Sequence, residues 1–277
     1  MDINEPINNS KKLNIIAIAE ETASGEAAVQ HGFQIARAFK ASLTIFTGFS
    51  LSIDGPDGAA TLAYIENAAK NCPDIEVKAI SGHVFPETLF TFAENSNTAM
   101  IVAGIGDKNS IFSPKKAIKF IKNSRFPVLA VTGKPLSADC YKDVLLPLDI
   151  ERQNKEKALW AGYFSRFHGS TVHVLFPEYK DEGLAKLVKD NVDFVEKLYG
   201  NLEIGYTLES YRSSGYFDET ALEYAKDKGI RLSVIMMTKY YTLADIITGP
   251  RERGIIGRSD IPLLCINQRD DLYVLCT

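Results

Sequence analysis

Cysteine is sparse in this sequence, and the few that occur are scattered. Cys72, Cys140, Cys265 and Cys276 include no Cys-x-x-Cys pair. That spacing fits buried thiols in a reducing compartment better than a disulfide framework or a zinc site. The histidines, His31, His83, His168 and His173, form neither a His-x3-His nor a His-Glu-x2-His pattern, so no zinc-hydrolase motif is present. A Gly-x-Ser-x-Gly elbow and a Gly-x4-Gly-Lys-(Ser/Thr) loop are also missing. No apolar run approaches the ~20 residues of a membrane span. Neither sign of charge dominates: 31 basic against 35 acidic side chains leave a net charge of −4. Nothing general therefore attracts nucleic acid or an anionic membrane, and neither is expected as a partner. The first residues, Met1 to Lys12, are polar and Asn-rich without the apolar stretch of a signal peptide, and the expected location is cytoplasmic.

What the sequence does have is bulk and internal repetition. Its 277 residues, 45% hydrophobic and 24% charged, suit a globular chain of two domains at ~150 residues each. The repeat has an offset of roughly 130 residues and appears element by element. Ile15 to Ala19, ending in Glu20, matches Val144 to Leu148, ending in Asp149. Both read as buried parallel strands, short and apolar without alternation. A helical pattern follows each, with Ala28, Gly32, Phe33, Ala36 and Phe39 against Ala158, Gly162, Tyr163 and Phe167. Second strands are expected at Leu43–Gly48 and Thr171–Phe176, third strands at Glu76–Ile80 and Glu203–Leu208. The helix between them is marked in the second half by an apolar stripe from Leu184 to Leu198. Glu87-Thr88-Leu89-Phe90-Thr91-Phe92-Ala93 then aligns with Glu219-Thr220-Ala221-Leu222-Glu223-Tyr224-Ala225. Fourth strands follow at Ala99–Ala103 and Leu232–Met236, then helices opened by Pro114 and Pro250. Proline-led strands at Pro127–Val131 and Pro262–Ile266 close the halves. Each half is thus a βα alternation that implies a parallel sheet covered on both faces. The closing strands, otherwise exposed edges, are candidates to pair with each other across the two halves.

On this element order, the repeat, the acidic residue ending the first strand and the proline-led last strand, each half resembles a universal stress protein domain. The resemblance covers residues 12–268. It implies an α/β chain with two flavodoxin-like, or adenine-nucleotide-alpha-hydrolase-like, domains at 12–134 and 141–268. A linker at 135–140 joins them, after a flexible 1–11 and before a tail at 269–277 with one further short strand. It also implies pairing of the two domains within the chain.

Nucleotide-binding members of that family carry a Gly-x2-Gly-x9-Gly-(Ser/Thr) loop after the fourth strand and an Asp ending the first. Such a loop lets backbone approach phosphate, while the next helix offers N–H groups. Here Gly104 stands at the first glycine and is followed by Ile105 and Gly106. Asp107 takes the second glycine's place, and Ser113-Pro114 replaces the closing pair. Gly104-Ile105-Gly106 does not meet the Rossmann Gly-x-Gly-x2-Gly either. In the second half Met236-Met237-Thr238 replaces the first glycines, and Gly249 is followed by Pro250, which has no N–H or hydroxyl to donate.

Glu20, Gly104, Gly106, Ser113, Asp149, Thr238, Gly249 and Arg251 are the candidate ligand-binding residues. For Glu20 and Asp149 the plainer reading is a polar strand end beside a helix N-terminus. The helical stretch with Lys115, Lys116, Lys119, Lys122 and Arg125 reads as a solvated face before it reads as an anion site. Trp160 and the Tyr240-Tyr241 pair are explained as well by packing as by a ligand. The expectation is a stress-linked binding or regulatory protein with a degenerate ATP site in both halves, no catalytic residues, no metal and no cofactor. Two alternatives stay open: an ATP-binding, weakly ATP-hydrolysing protein using Asp149, Gly249 and Arg251, and a small-molecule carrier. A homodimer and an unidentified protein partner also stay open.

Overall fold

A computed structural model describes residues 12–47, 59–81, 84–106, 110–134, 136–137, 139–212, 217–237 and 251–268. The expected N-terminal segment, the C-terminal tail, Thr238, Tyr240, Tyr241 and Gly249 lie outside the described residues.

The first half runs β1 (Asn14–Ile18), α1 (Ala23–Ala38), β2 (Ser42–Phe46), α2 (Ala59–Lys70), β3 (Val77–Ile80), α3 (Pro86–Asn95), β4 (Thr98–Ile105), α4 (Pro114–Asn123) and β5 (Val128–Thr132). The second runs β6 (Asp143–Pro147), α5 (Asn154–His168), β7 (Thr171–Pro177), α6 (Glu182–Asn201), β8 (Tyr206–Tyr211), α7 (Phe217–Lys228), β9 (Ser233–Met237), α8 (Arg251–Arg258) and β10 (Leu263–Asn267). Together the strands form one ten-stranded sheet in the order β3-β2-β1-β4-β5-β10-β9-β6-β7-β8. Each half is the expected five-stranded doubly wound unit, and its strand order 3-2-1-4-5 is that of the first five Rossmann strands, not the 2-1-3-4-5 order of flavodoxin.

All pairs are parallel except the one that joins the halves. There β5 and β10 run antiparallel, with Leu263 opposite Ala130, Leu264 opposite Leu129 and Cys265 opposite Val128. The expected pairing of the closing strands is therefore present, and neither strand is left as an edge. The carboxyl ends of the two sets of parallel strands consequently point to opposite ends of the sheet.

Alternate residues of the strands serve opposite faces. Ile15 and Ala17 belong to a core shared with residues of α1, α2, α5 and α6, whereas Ile16 and Ile18 belong to the one formed with α3 and α4 on the other face. The first of these cores is continuous across both halves. At its centre the α1 and α5 helices meet: Phe39 stacks on Phe167 at 4.2 Å, and Tyr141 lies edge-on to Phe164 and His168. His31 Nδ1 bonds the Tyr141 hydroxyl. Burial pushes both His31 and His168 down to about 4. No helix among the described residues is long and apolar enough to cross a membrane.

One boundary differs from the sequence reading. The third strand of the second half starts at Tyr206, not Glu203. Glu203 takes a left-handed φ of 55°, and the Ile204 N–H turns back to the Tyr199 carbonyl at 3.0 Å. This turn closes α6 and delays the strand.

Candidate functional site

Each half has a switch point where the strand order reverses, between β1 and β4 and between β6 and β9. In doubly wound sheets ligands bind there, outside the carboxyl ends of the strands. The two switch points lie at opposite ends of the sheet, so each is a separate site.

In the first half the chain leaves β1 through Ala19 and Glu20 and enters α1 at Thr22. Thr22 is extended, with φ −138° and ψ 161°, and its Oγ1 accepts the Gly25 N–H at 3.1 Å. The first turn of α1 lies directly on β4. A Cβ on Gly104 would stand 2.1 Å from the Ser24 carbonyl oxygen, and one on Gly25 2.3 Å from that of Glu20. Both contacts are with backbone, which cannot swing aside. Gly104→Ala is therefore expected to cost about 3 kcal/mol through overpacking, measured as a drop in the urea midpoint. An unchanged midpoint would mean that α1 does not rest on β4.

This close approach brings Glu20 to the loop after β4. Its Oε1 accepts from Thr22 Oγ1 at 2.9 Å, from Ser24 Oγ at 3.2 Å and from Ser110 Oγ. Its Oε2 accepts the Ile111 backbone N–H at 2.7 Å. One carboxylate thus collects three hydroxyls and a main-chain donor, and Ser110 is only 2% exposed. These are the kinds of donor that would hold a phosphate. Gly106 belongs to the same cluster: a Cβ there would meet Ser110 Cβ at 2.6 Å and Ser24 Oγ at 2.9 Å. A cleft of about 190 Å³ opens beside it, lined by Glu20, Glu21, Glu26, Val29 and Tyr64. Ser113 stands at the N-terminus of α4, but its side chain makes no capping bond.

The second switch point is built differently. Asp149 Oδ1 accepts the Glu151 N–H at 2.8 Å and the Asn154 amide at 2.6 Å. The buried Asn154 and Asn191 amides also hold the Asp149 carbonyl, at 3.0 and 2.8 Å. The carboxylate therefore fixes the turn into α5, the plainer reading that its position suggested. The β6–β9 pairing reaches only from Leu145 to Ser233. Pro147 then interrupts it, because proline brings no N–H to the ladder. The Pro147 carbonyl is taken instead by Lys157 Nζ at 2.5 Å, from a side chain only 2% exposed. In the strand register Met236 faces Ile266 as Gly104 faces Val131, so a long side chain stands where the first half has none.

The structure thus brings Glu20, Gly104 and Gly106 together and adds Thr22, Ser24 and Ser110, which the sequence reading missed. Asp149 sits at the other switch point with Pro147, Asn154, Lys157 and Asn191. Arg251 opens α8, and its side chain is outside the described residues. The basic stripe on α4 is divided. Lys115, Lys116 and Lys119 face solvent, Lys122 lies 4.0 Å from Glu252 of α8, and Arg125 pairs with Glu94 at 3.2 Å.

No protein-family model and no curated protein matches the sequence. Solved structures do match the fold over nearly the whole chain. A universal stress protein from Archaeoglobus fulgidus DSM 4304 superposes with a TM-score of 0.66 at 11% identity, covering 92% of this chain and 98% of its own. A functionally unknown protein from Pseudomonas aeruginosa PAO1 gives 0.64 at 14% identity, covering 95% of both chains. A chain from Pseudomonas aeruginosa UCBPP-PA14, provisionally assigned to the universal stress proteins, gives the same values. The chain therefore has the universal stress protein fold in tandem, with its two halves joined through their closing strands.

Proposed function

We propose that this chain is a tandem universal stress protein that binds or regulates a partner, with both nucleotide sites closed by its own side chains. The observation that carries this reading is the Glu20 carboxylate seated on Ser110 and on the Ile111 N–H. A phosphate entering that loop would have to displace a charge of its own sign, and the neighbouring cleft adds Glu21 and Glu26. In the second half Met236 takes the strand position that Gly104 holds in the first, and Lys157 occupies the Pro147 carbonyl at the end of β6. Among the described residues neither half offers an activated nucleophile, which supports binding over catalysis.

Titration of the purified chain with ATP and magnesium by calorimetry is expected to give no saturable heat. Mass spectrometry of the denatured chain is expected to release no adenine nucleotide. A micromolar dissociation constant, or a co-purifying nucleotide, would establish the ATP-binding reading instead.

The carrier reading also has one observation in its favour. Between α7 and α8 lies a groove of about 430 Å³, lined by the apolar Leu222, Ile230 and Ile255 and by charges of both signs, Glu219, Glu223 and Asp260 against Lys226, Arg231 and Arg258. That volume falls in the range of small-ligand sites. The corresponding place between α3 and α4 is filled by Phe90 stacked on Phe120 at 5.1 Å. A released molecule other than a nucleotide would assign this groove.

A further inference from the structure

The internal repeat supplies a control for the groove between α7 and α8, because the halves match residue by residue around it. Ser124 Oγ donates to the Phe126 carbonyl at 2.8 Å, and Ser259 Oγ donates to that of Ile261 at 2.7 Å, in the same turn before the closing strand. Ile255 therefore stands where the first half has Phe120, and Ile261 where it has Phe126. The alignment of Glu87 with Glu219 likewise sets Leu222 against Phe90. Three aromatic rings that pack in the first half are thus three aliphatic side chains in the second, and Gly254 stands in place of Lys119. In the first half Arg125 also ties the end of α4 to Glu94 of α3 at 3.2 Å. The second half carries Asp260 and Lys226 at these positions, with the charges exchanged. Asp260 is drawn to Lys134 beyond β5, at 2.6 Å.

The charges along the groove are unevenly balanced. Beside the first turn of α7, Arg258 folds back onto the Gly254 carbonyl at 3.2 Å and pairs with Glu219 at 2.6 Å. Glu223 stands one turn further along α7. Beside the last turn the lining is Lys226, Arg231 and Asp260. With Lys134, three cations there share one carboxylate, and Lys134 first, then Lys226, hold the Asp260 carboxyl below its usual range. That part of the groove keeps an excess of positive charge next to the apolar Leu222, Ile230 and Ile255. A guanidinium also matches a carboxylate through two parallel hydrogen bonds. An apolar wall with a few convergent polar groups is the usual make-up of a small-ligand site.

We propose, building on the carrier reading, that this groove binds an apolar carboxylic acid, with its body on Leu222, Ile230 and Ile255 and its carboxylate toward Lys226 and Arg231.

The test uses the whole chain, with anilinonaphthalene sulfonate, an apolar aromatic anion that fluoresces in apolar surroundings, as reporter. Octanoate is expected to displace it. Octanol, with the same chain length and no charge, should displace it about tenfold less well, since a charged hydrogen bond is the stronger kind. Leu222→Phe/Ile255→Phe, which brings back the first-half filling, should abolish reporter binding. Lys226→Glu/Arg231→Glu should weaken octanoate about tenfold and leave octanol unchanged. Lys186→Glu/Lys197→Glu on α6, across the sheet, changes the net charge equally and should alter neither. Far-UV circular dichroism checks that each variant is folded. Equal displacement by octanol and octanoate, or octanoate binding unmoved by the groove charge reversals, would overturn the acid and leave the groove a carrier site. Reporter binding that survives in the folded Phe variant, or no saturable binding in the unaltered chain, would overturn the acid and the carrier site together.

Discussion

Glu20→Ala should lower the unfolding free energy by about 2–4 kcal/mol and make the remaining stability respond to added phosphate. The first effect follows from the donors the substitution strands. Ser110 Oγ is buried, and the Ile111 N–H loses the acceptor 2.7 Å away. Each unsatisfied buried donor costs about 1–3 kcal/mol, and water reaching the edge of the cleft offsets part of it. For a chain of this size that corresponds to a fall in Tm of about 5–15 °C. The second effect follows from what those donors are. Without the carboxylate they form an anion site at a helix N-terminus, and millimolar phosphate should restore part of the lost Tm in the variant only. Glu20→Asp, one methylene shorter, should behave like the alanine variant, because reach is what brings the carboxylate to Ser110. A loss under about 0.5 kcal/mol, the size of an ordinary surface substitution, would refute the idea that this carboxylate closes the loop.

Mild acid should act on the joint between the halves. His31 and His168 are held neutral by burial, at about 4 against 6.5 in the unfolded chain. The unfolded chain takes up these protons first. Stability is therefore full above pH 6.5 and declines as the pH falls towards 4. By pH 5 each histidine contributes a loss of about 2 kcal/mol, or about 4 kcal/mol for the pair. The geometry agrees: His31 finds one neutral partner in Tyr141, while His168 Nε2 has no hydrogen-bond partner among the described residues. Urea midpoints measured between pH 7.5 and 5 should fall accordingly. In a His31→Phe/His168→Phe variant the slope over this window should flatten. An equally steep slope in that variant would place the acid sensitivity elsewhere.

Much of the architecture was legible because its signals are local. Short apolar runs such as Ile15 to Ala19 mark buried parallel strands, and Pro127 and Pro262 mark where the closing strands begin. The start of β8 was not legible, because it depends on Glu203 entering a left-handed turn that no residue type there demands. At the site, Glu20 and Asp149 stood out as acids at strand ends, but their different targets did not. The Glu20–Ser110 contact spans the chain from β1 to the loop after β4, and it exists because Gly25 and Gly104 let α1 settle on the sheet. Lys157 was not singled out in the sequence, since nothing in its neighbours says that its amine will be drawn to a carbonyl inside the fold. Pro147 was the visible clue. A proline in a central strand frees a carbonyl, and something must then donate to it.

The antiparallel β5–β10 seam has a consequence beyond joining two sheets. A symmetric dimer presents the same patch twice, so every residue at the contact must serve both roles at once. Here the partner is covalently attached, and association becomes a first-order event that dilution cannot reverse. The self-matching constraint disappears with it. Each half always meets the other and need never meet its own copy. One switch point can keep the close-packed Gly104 while the other carries Met236 in its place. Divergence that would break a symmetric pair is tolerated here, and the two ends of the sheet are free to take on different work.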